Sequence, residues 1–293
     1  MGRGQRNGSE SFGHGRHSDR SSLLRRNTLP DSPAELPELP AEFWRTLEDG
    51  LLLLDLTLSP PARAAIDAHV RLLVAWNEQI NLTGLRTPQQ IARHNVFDAL
   101  LALPLMSGWK GAKSLIDIGS GGGFPGLPLA LTLPLERVAL VDSIGKKQRF
   151  LSVASVAATD ALRTAGAEPP QIAALAARAE SLAADPEQRE TWDVMTSRAV
   201  GSVAEVAELG LPLIRRGGRV VAWKRDAGDG SLQREVADAR RIVQACGGVP
   251  PRIVALPRAA AVGLDGHCLV VIAKARPTPE RYPRDPAERR RSS

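Results

Sequence analysis

Leu115-Ile116-Asp117-Ile118-Gly119-Ser120-Gly121-Gly122-Gly123-Phe124-Pro125-Gly126 is the stretch that decides the fold of this chain. A short apolar run carries one acid, then comes a turn with four glycines, and an apolar helical pattern continues over 124–132. The pattern predicts a buried strand feeding a tight turn whose backbone comes close to a ligand. Glycine permits positive φ and has no Cβ to block that approach. A helix starting at Phe124-Pro125 would aim free N–H groups and its positive dipole end at an anionic group. A nucleotide-like ligand suits such a turn.

Two registers compete. Gly121-x-Gly123-x-x-Gly126 matches the dinucleotide fingerprint, which points to a nicotinamide-dependent oxidoreductase. Asp117-x-Gly119-x-Gly121-x-Gly123 instead sets an acid two residues before the first glycine. It resembles the first motif of Rossmann-like S-adenosylmethionine methyltransferases. In that register Asp117 can meet the methionine ammonium while helix-start amides receive the carboxylate. A pyrophosphate beside the same acid would be repelled. The second register is preferred and the first stays open.

Working outward, the 293 residues are 43% hydrophobic, enough for a sizeable core. The net charge of +6 suggests nucleic acid, but its distribution is uneven. Residues 1–30 hold six Arg against two acids, and residues 274–293 hold seven Lys/Arg against three. The remaining body carries 25 basic and 27 acidic residues, so RNA affinity there requires a local patch. A third reading is therefore a non-catalytic module that binds RNA through its tails. Cys246 and Cys268 stand alone, and His14, His17, His69, His94 and His267 are scattered. No metal is expected, and a reducing, cytoplasmic setting fits. No apolar run reaches the ~18–20 residues of a membrane span, and the first residues lack the apolar core of a secretory signal.

Residues 1–40 read as a disordered tail and proline-spaced linker, and 41–110 as a helical segment packing on the α/β domain of residues 111–276. Residues 277–293 read as a basic tail. In the helical segment, Phe43, Leu47, Leu51 and Leu54 share a face. A second helix is predicted from Pro61 to about Gln79 with Ile66, Val70, Leu73 and Val74 inward, and a third opens at Thr87-Pro88. Strands are predicted at 114–118, 137–141, 171–176, 192–196, 219–224, 251–256 and 268–274. Helices fall near 124–132, 145–164, 202–213 and 231–246. The alternation predicts parallel βαβ units. Residues 257–266 show no helix, so a hairpin would turn the last strand antiparallel. The expected fold is a seven-stranded Rossmann-like methyltransferase sheet with an N-terminal helical extension.

Several positions fall at strand ends. Asp142, 25 residues after Asp117, suits ribose hydroxyls. Ala179-Glu180 come after the third strand, where a backbone N–H and a carboxylate can read adenine. Ser197-Arg198-Ala199 come after the fourth, where many amino-methylating enzymes keep an Asn/Asp-Pro-Pro-aromatic motif. Arg198 is no base at neutral pH but grips a carboxylate or phosphate bidentately. Lys146, Lys147, Arg149 and Lys224 add positive charge along the same rim and are candidates for RNA contact, against a bland reading as solvated faces. His94 and Asp98, spaced i, i+4, are candidates to assist chemistry.

Taken together the motifs resemble the bacterial small-subunit ribosomal RNA methyltransferase G family, long called glucose-inhibited division protein B. The resemblance covers about Trp76 to Tyr282. It is carried by Trp76-Asn77…Asn81-Leu82-Thr83, Arg93-His94…Asp98, Ile116-Asp117-Ile118-Gly119…Gly126, Asp142-Ser143…Gly145-Lys146, Ser197-Arg198-Ala199 and His267-Cys268-Leu269-Val270-Val271-Ile272. It implies methyl transfer from S-adenosyl-L-methionine to N7 of a guanosine in the 530 loop of 16S rRNA, presented as RNA or as a 30S particle. It also implies that Gly119, Phe124, Ala179, Glu180 and Arg198 occupy cofactor-binding positions. Guanine N7 has a lone pair and no proton, which agrees with a site lacking an obvious acid–base pair. The segment 159–171 is longer than the family's usual pattern, and 285–293 diverges from its basic tail.

Overall fold

The computed structural model describes Met1 and residues 29–291. The expectation of disorder over 1–30 falls almost wholly outside them. The linker after it is held in place. Arg71 donates to the carbonyls of Pro33 (2.7 Å) and Leu36, and the Trp76 indole donates to Pro30 (2.7 Å).

Two amphipathic helices open the described chain, α1 at Ala41–Leu53 and α2 at Pro60–Asn77. Phe43, Leu47 and Leu51 are buried as the periodicity predicts, while Leu54 lies past the end of α1. Ile66, Val70 and Leu73 of α2 are inward, but Val74 is exposed. Val74 comes after Leu73 by about 100° around the helix, which carries it off the buried stripe. Thr87 caps α3 (Pro88–Ile91) in a reciprocal capping box with Gln90. The helix then widens into a π-helical turn over Ala92–Phe97 and closes as α4, Asp98–Leu100.

The rest alternates. β1 is Ser114–Ile118, β2 Arg137–Asp142, β3 Gln171–Ala176, β4 Trp192–Arg198, β5 Ile214–Arg225, β6 Arg252–Ala255 and β7 His267–Ala273. They form one sheet ordered β3-β2-β1-β4-β5-β7-β6. The first five strands pair in parallel, and β7 inserts antiparallel between β5 and β6. Period-two alternation splits the core by face. Leu115, Val138, Leu140, Val221 and Leu269 join the N-terminal helices on one side. Ile116, Ala139, Val141, Val220 and Val270 face the other. Apolar residues on both faces give strands that read as continuous apolar runs.

Some elements differ from expectation. β5 begins at Ile214 rather than 219, because its pairing with β4 shifts register across Arg215–Gly218. Gly217, at φ +84°, lets the strand bulge there, where its sequence reads as a turn. The link between β6 and β7 holds a short 3₁₀ helix, Pro257–Val262. A short helix at Ala179–Ala184 is one that the sequence pattern does not signal. The segment after β7 is not a free tail. Thr278 and Tyr282 are buried, and Arg189 donates to the carbonyls of Thr278, Pro279 and Tyr282.

Candidate active site

Chain order reverses around β1, whose neighbours are β2 on one side and β4 on the other, and ligands in open α/β sheets bind at the carboxyl ends beside such a switch. A cavity of about 1170 Å³ lies there. Gly119, Asp142, Lys147, Ala179, Glu180 and Arg198 are among its lining residues. Strand order distributes the charges: Asp142 and Glu180 lie at the exits of β2 and β3 on one side, and Arg198 ends β4 on the other.

The glycine turn forms, though its amides are used differently from the expectation. Gly119, Gly121 and Gly123 all take positive φ (+76°, +55°, +91°). A Cβ on Gly119 would lie 2.5 Å from Val200 Cγ2, so the close approach that requires glycine is to the loop after β4. The amides of Gly119 and Ser120 donate to the Val141 carbonyl, both at 2.9 Å. Those of Gly123 and Phe124 donate to the Ser120 carbonyl, Leu127 donates to Gly123, and Gly126 to Asp117 Oδ2 at 3.2 Å. The helix after the turn, Gly126–Ala130, is short, and its first N–H is the one bonded to Asp117. The expected anion site at its start is therefore taken by the protein's own carboxylate.

Asp117 departs from its expected role for the same reason. It shares the β1 face of Leu115 and is fully buried. Register places it beside Thr196 on β4, whose hydroxyl donates to Oδ1 at 2.7 Å. Both oxygens thus face the protein, and the side chain ties β1 to β4 and to the helix start. Burial pushes its carboxyl up to about 6, against the opposing hydrogen bonds from Thr196, Ser120 and Gly126.

Gly121 donates its N–H to Asp142 Oδ2 at 3.1 Å. Asp142 Oδ1 accepts from Ile144 N at 2.9 Å, and Lys147 Nζ stands 4.0 Å from Oδ2. The carboxylate keeps unused lone pairs toward the cavity. Phe124 is buried behind the turn, with the Arg198 guanidinium 5.5 Å from its ring centre. Ala179 is buried at the third strand's exit, and Glu180 pairs with Arg289.

Arg198 is oriented from the N-terminal helices. One Nη donates to His94 O at 2.7 Å and Asp98 Oδ2 at 3.0 Å, and the other to Asn95 Oδ1 at 3.1 Å. Asp98 is buried, and its Oδ1 accepts from His267 Nδ1 at 2.8 Å. The candidates to assist chemistry are thereby accounted for. Asp98 is occupied by Arg198 and His267, and His94 meets Arg198 through its backbone. Burial, with the charge of Arg93, holds the His94 ring below its usual pKa. The π-helical turn is what brings these groups to one guanidinium.

Of the basic rim candidates, Lys146 and Arg149 are exposed. Lys224 is not offered to a ligand: its Nζ donates to Gly201 O and to Glu235 Oε1, both at 2.7 Å. Sequence reading also misses His69. This fully buried ring on α2 donates from Nε2 to the Gly122 carbonyl at 2.8 Å and stacks 4.8 Å from Phe124. Burial lowers its pKa to about 4, so it supports the turn as a neutral ring. No local signal separates it from any inward helical histidine. Among the described residues no His, Cys, Asp and Glu side chains group as metal ligands, and no helix is long and apolar enough to cross a membrane.

The family model described as rRNA small subunit methyltransferase G matches residues 62–259, from α2 to the link between β6 and β7. Curated proteins named ribosomal RNA small subunit methyltransferase G are similar along most of their length. One from Roseiflexus sp. (strain RS-1) is 42% identical over 72% of this chain and 83% of its own. One from Dehalococcoides mccartyi (strain BAV1) is 34% identical over 80% and 93%, and one from Streptococcus pyogenes is 30% identical over 84% and 95%. The match takes in the glycine turn, the acids after β2 and β3, and the arginine that ends β4, so the chain belongs to the rRNA small subunit methyltransferase G family.

Proposed function

We propose that this protein methylates N7 of a guanosine in the 530 loop of 16S rRNA, with S-adenosyl-L-methionine as methyl donor and the cytoplasm as its setting. The observation that carries the reading is the charge layout of one cavity, with Asp142 and Glu180 on the β2–β3 side and Arg198 beyond β1. Ribose hydroxyls and an adenine amine are donors and suit the two carboxylates. An amino-acid carboxylate suits the guanidinium. The donor supplies a methyl group activated on a sulfonium.

What the chain contributes is placement. Asp142, fixed by two backbone N–H groups, holds the nucleoside end, and Glu180 reads the base. Arg198 keeps its plane through Asp98, Asn95 and His94, and its remaining donors take the carboxylate. With the donor held by these residues, its sulfonium would supply the methyl group and the chain would orient it toward the base, which lowers the barrier by placement. Guanine N7 loses no proton in the step, so the pairing of Asp98 with Arg198 and His267 removes nothing the reaction needs. N7 lies on the edge that an A-form groove hides, so the target must be presented from a loop. Exposed Lys146 and Arg149, a few residues after Asp142 in the chain, suit its phosphates.

The nicotinamide reading has no support from the turn, whose helix-start amides are bonded within the protein. Incubation with radiolabelled donor and 16S rRNA, naked and as 30S particles, tests the proposal. Label entering RNA supports it and identifies the presented form. An unlabelled RNA in both forms, with the protein folded, rejects it.

A further inference from the structure

The C-terminal residues, expected as a basic tail, form a wall of the cavity. Lys274, its side chain fully buried, donates to Glu190 Oε1 and the Leu211 carbonyl, both at 2.6 Å. Thr278 adds its N–H to Glu190 and its hydroxyl to the Cys246 carbonyl. Arg284 then clasps buried Glu208 through its backbone N–H, Nε and Nη2 at 2.7–2.9 Å. These anchors deliver the last helix, Pro286–Arg291, to the end of the cavity where Glu180 stands. Tyr282, Arg284, Pro286 and Arg289 line it.

Arg289 is tied at both ends of its fork. Nη1 donates to the Arg284 carbonyl at 3.0 Å, and Nη2 pairs with Glu180 Oε1. The pair is sheltered, with side-chain exposures of 11% for Arg289 and 22% for Glu180. A carboxylate gripped at one oxygen has its rotamer fixed and its other oxygen set in direction. Burial by itself would raise the Glu180 carboxyl, but the Arg289 hydrogen bond and charge leave it below the usual range. Glu180 is therefore an acceptor and not a donor.

We propose that the C-terminal helix is a built part of the cofactor site, in which Arg289 is a positioning residue that holds Glu180 so that Oε2 meets the exocyclic amine of adenine. The proposal rests on the reading of Glu180 given above. It assigns to residues beyond the family match a part in binding the methyl donor, in place of the RNA contact expected of a basic tail.

The test is calorimetric binding of S-adenosylmethionine to the full-length chain and to Arg289→Ala, Glu180→Ala, the double variant and Arg289→Lys. Ordering one side chain on binding corresponds to roughly 3- to 10-fold in affinity. Arg289→Ala is expected to weaken binding by about that factor, and Glu180→Ala by at least as much. The double variant should match Glu180→Ala within about twofold, because the first residue acts through the second. Arg289→Lys should recover part of the loss. A second readout separates positioning from loss of the helix as such. S-adenosylhomocysteine should lose affinity for Arg289→Ala, while its counterpart lacking the 6-amino group should bind the variant and the wild type alike. Unchanged or tighter binding in Arg289→Ala overturns the proposal, and so do additive effects or equal losses for both ligands. If Glu180→Ala binds the donor like wild type, the reading of Glu180 falls and the proposal with it. If only Arg289→Ala is silent, the reading of Glu180 stands alone.

Discussion

Asp117→Asn separates a carboxylate that holds the fold from one that meets a ligand. In the folded protein the Asp117 carboxyl titrates near 6, against an ordinary value of 3.8, chiefly because it is buried. The native state therefore binds its proton more tightly than the unfolded chain. Well below about pH 4 both states are protonated and the group contributes no pH dependence. As pH rises from about 4 to 6 the unfolded chain ionises first, and stability falls. Two units at about 1.4 kcal/mol each give a loss of about 3 kcal/mol, complete above about pH 6.5. Asparagine does not ionise. Its Oδ1 can accept from the Gly126 N–H while its amide donates to the Thr196 hydroxyl, so both contacts survive. Urea unfolding of both proteins at about pH 4, 5, 6 and 7.5 measures the effect, since all other titrations cancel in the difference. Asn is expected to gain about 2.5 kcal/mol on wild type between about pH 4 and 7.5. A difference that stays constant within about 0.5 kcal/mol would refute the burial argument.

Other substitutions test the same geometry. Asp117→Asn should keep donor affinity within about threefold by calorimetry, because both carboxylate oxygens face the protein; a loss of about a hundredfold would return Asp117 to the ligand. Gly119→Ala must hold φ near +76° and place a Cβ against Val200, so binding should weaken more than about tenfold at a stability cost of about 1–2 kcal/mol in thermal unfolding. Arg198→Ala removes a charge-assisted contact worth about 1.5–3 kcal/mol, or roughly 10- to 150-fold in donor affinity, and Arg198→Lys should rescue only part. Lys146→Ala with Arg149→Ala should lower the salt dependence of RNA binding by about one to two charges, whereas Lys224→Ala, already paired with Glu235, should not change it.

Much of the fold is legible in the sequence because it rests on local pattern. The strand, turn and helix around Gly119 come from apolar runs and glycines, and the antiparallel ending comes from the lack of a long crossover helix after β6. What escapes reading depends on register and on distant partners. Asp117 reads as the acid at a ligand's edge until Thr196 is set beside it on β4. Arg198 reads as a lone cation until a π-helical turn, about a hundred residues earlier in the chain, brings Asp98 and Asn95 to it. Lys224 reads as an RNA contact because its partner Glu235 sits on another element. The C-terminal residues look like a charged tail because composition counts Arg284 and Arg289 but not the Glu208 and Glu180 that receive them. Local apolar pattern specifies the elements, whereas buried ionic contacts become visible only when the sheet is assembled.

The proposed methyl acceptor is one atom of one base, N7 of a guanosine. Nucleoside digestion and mass spectrometry of 16S rRNA after reaction with labelled donor, combined with mapping of the labelled fragment, tests it most directly. Label is expected in 7-methylguanosine from the 530 loop, abolished together with donor binding in Gly119→Val. Label on an exocyclic amine, on a ribose hydroxyl or on another base would contradict it.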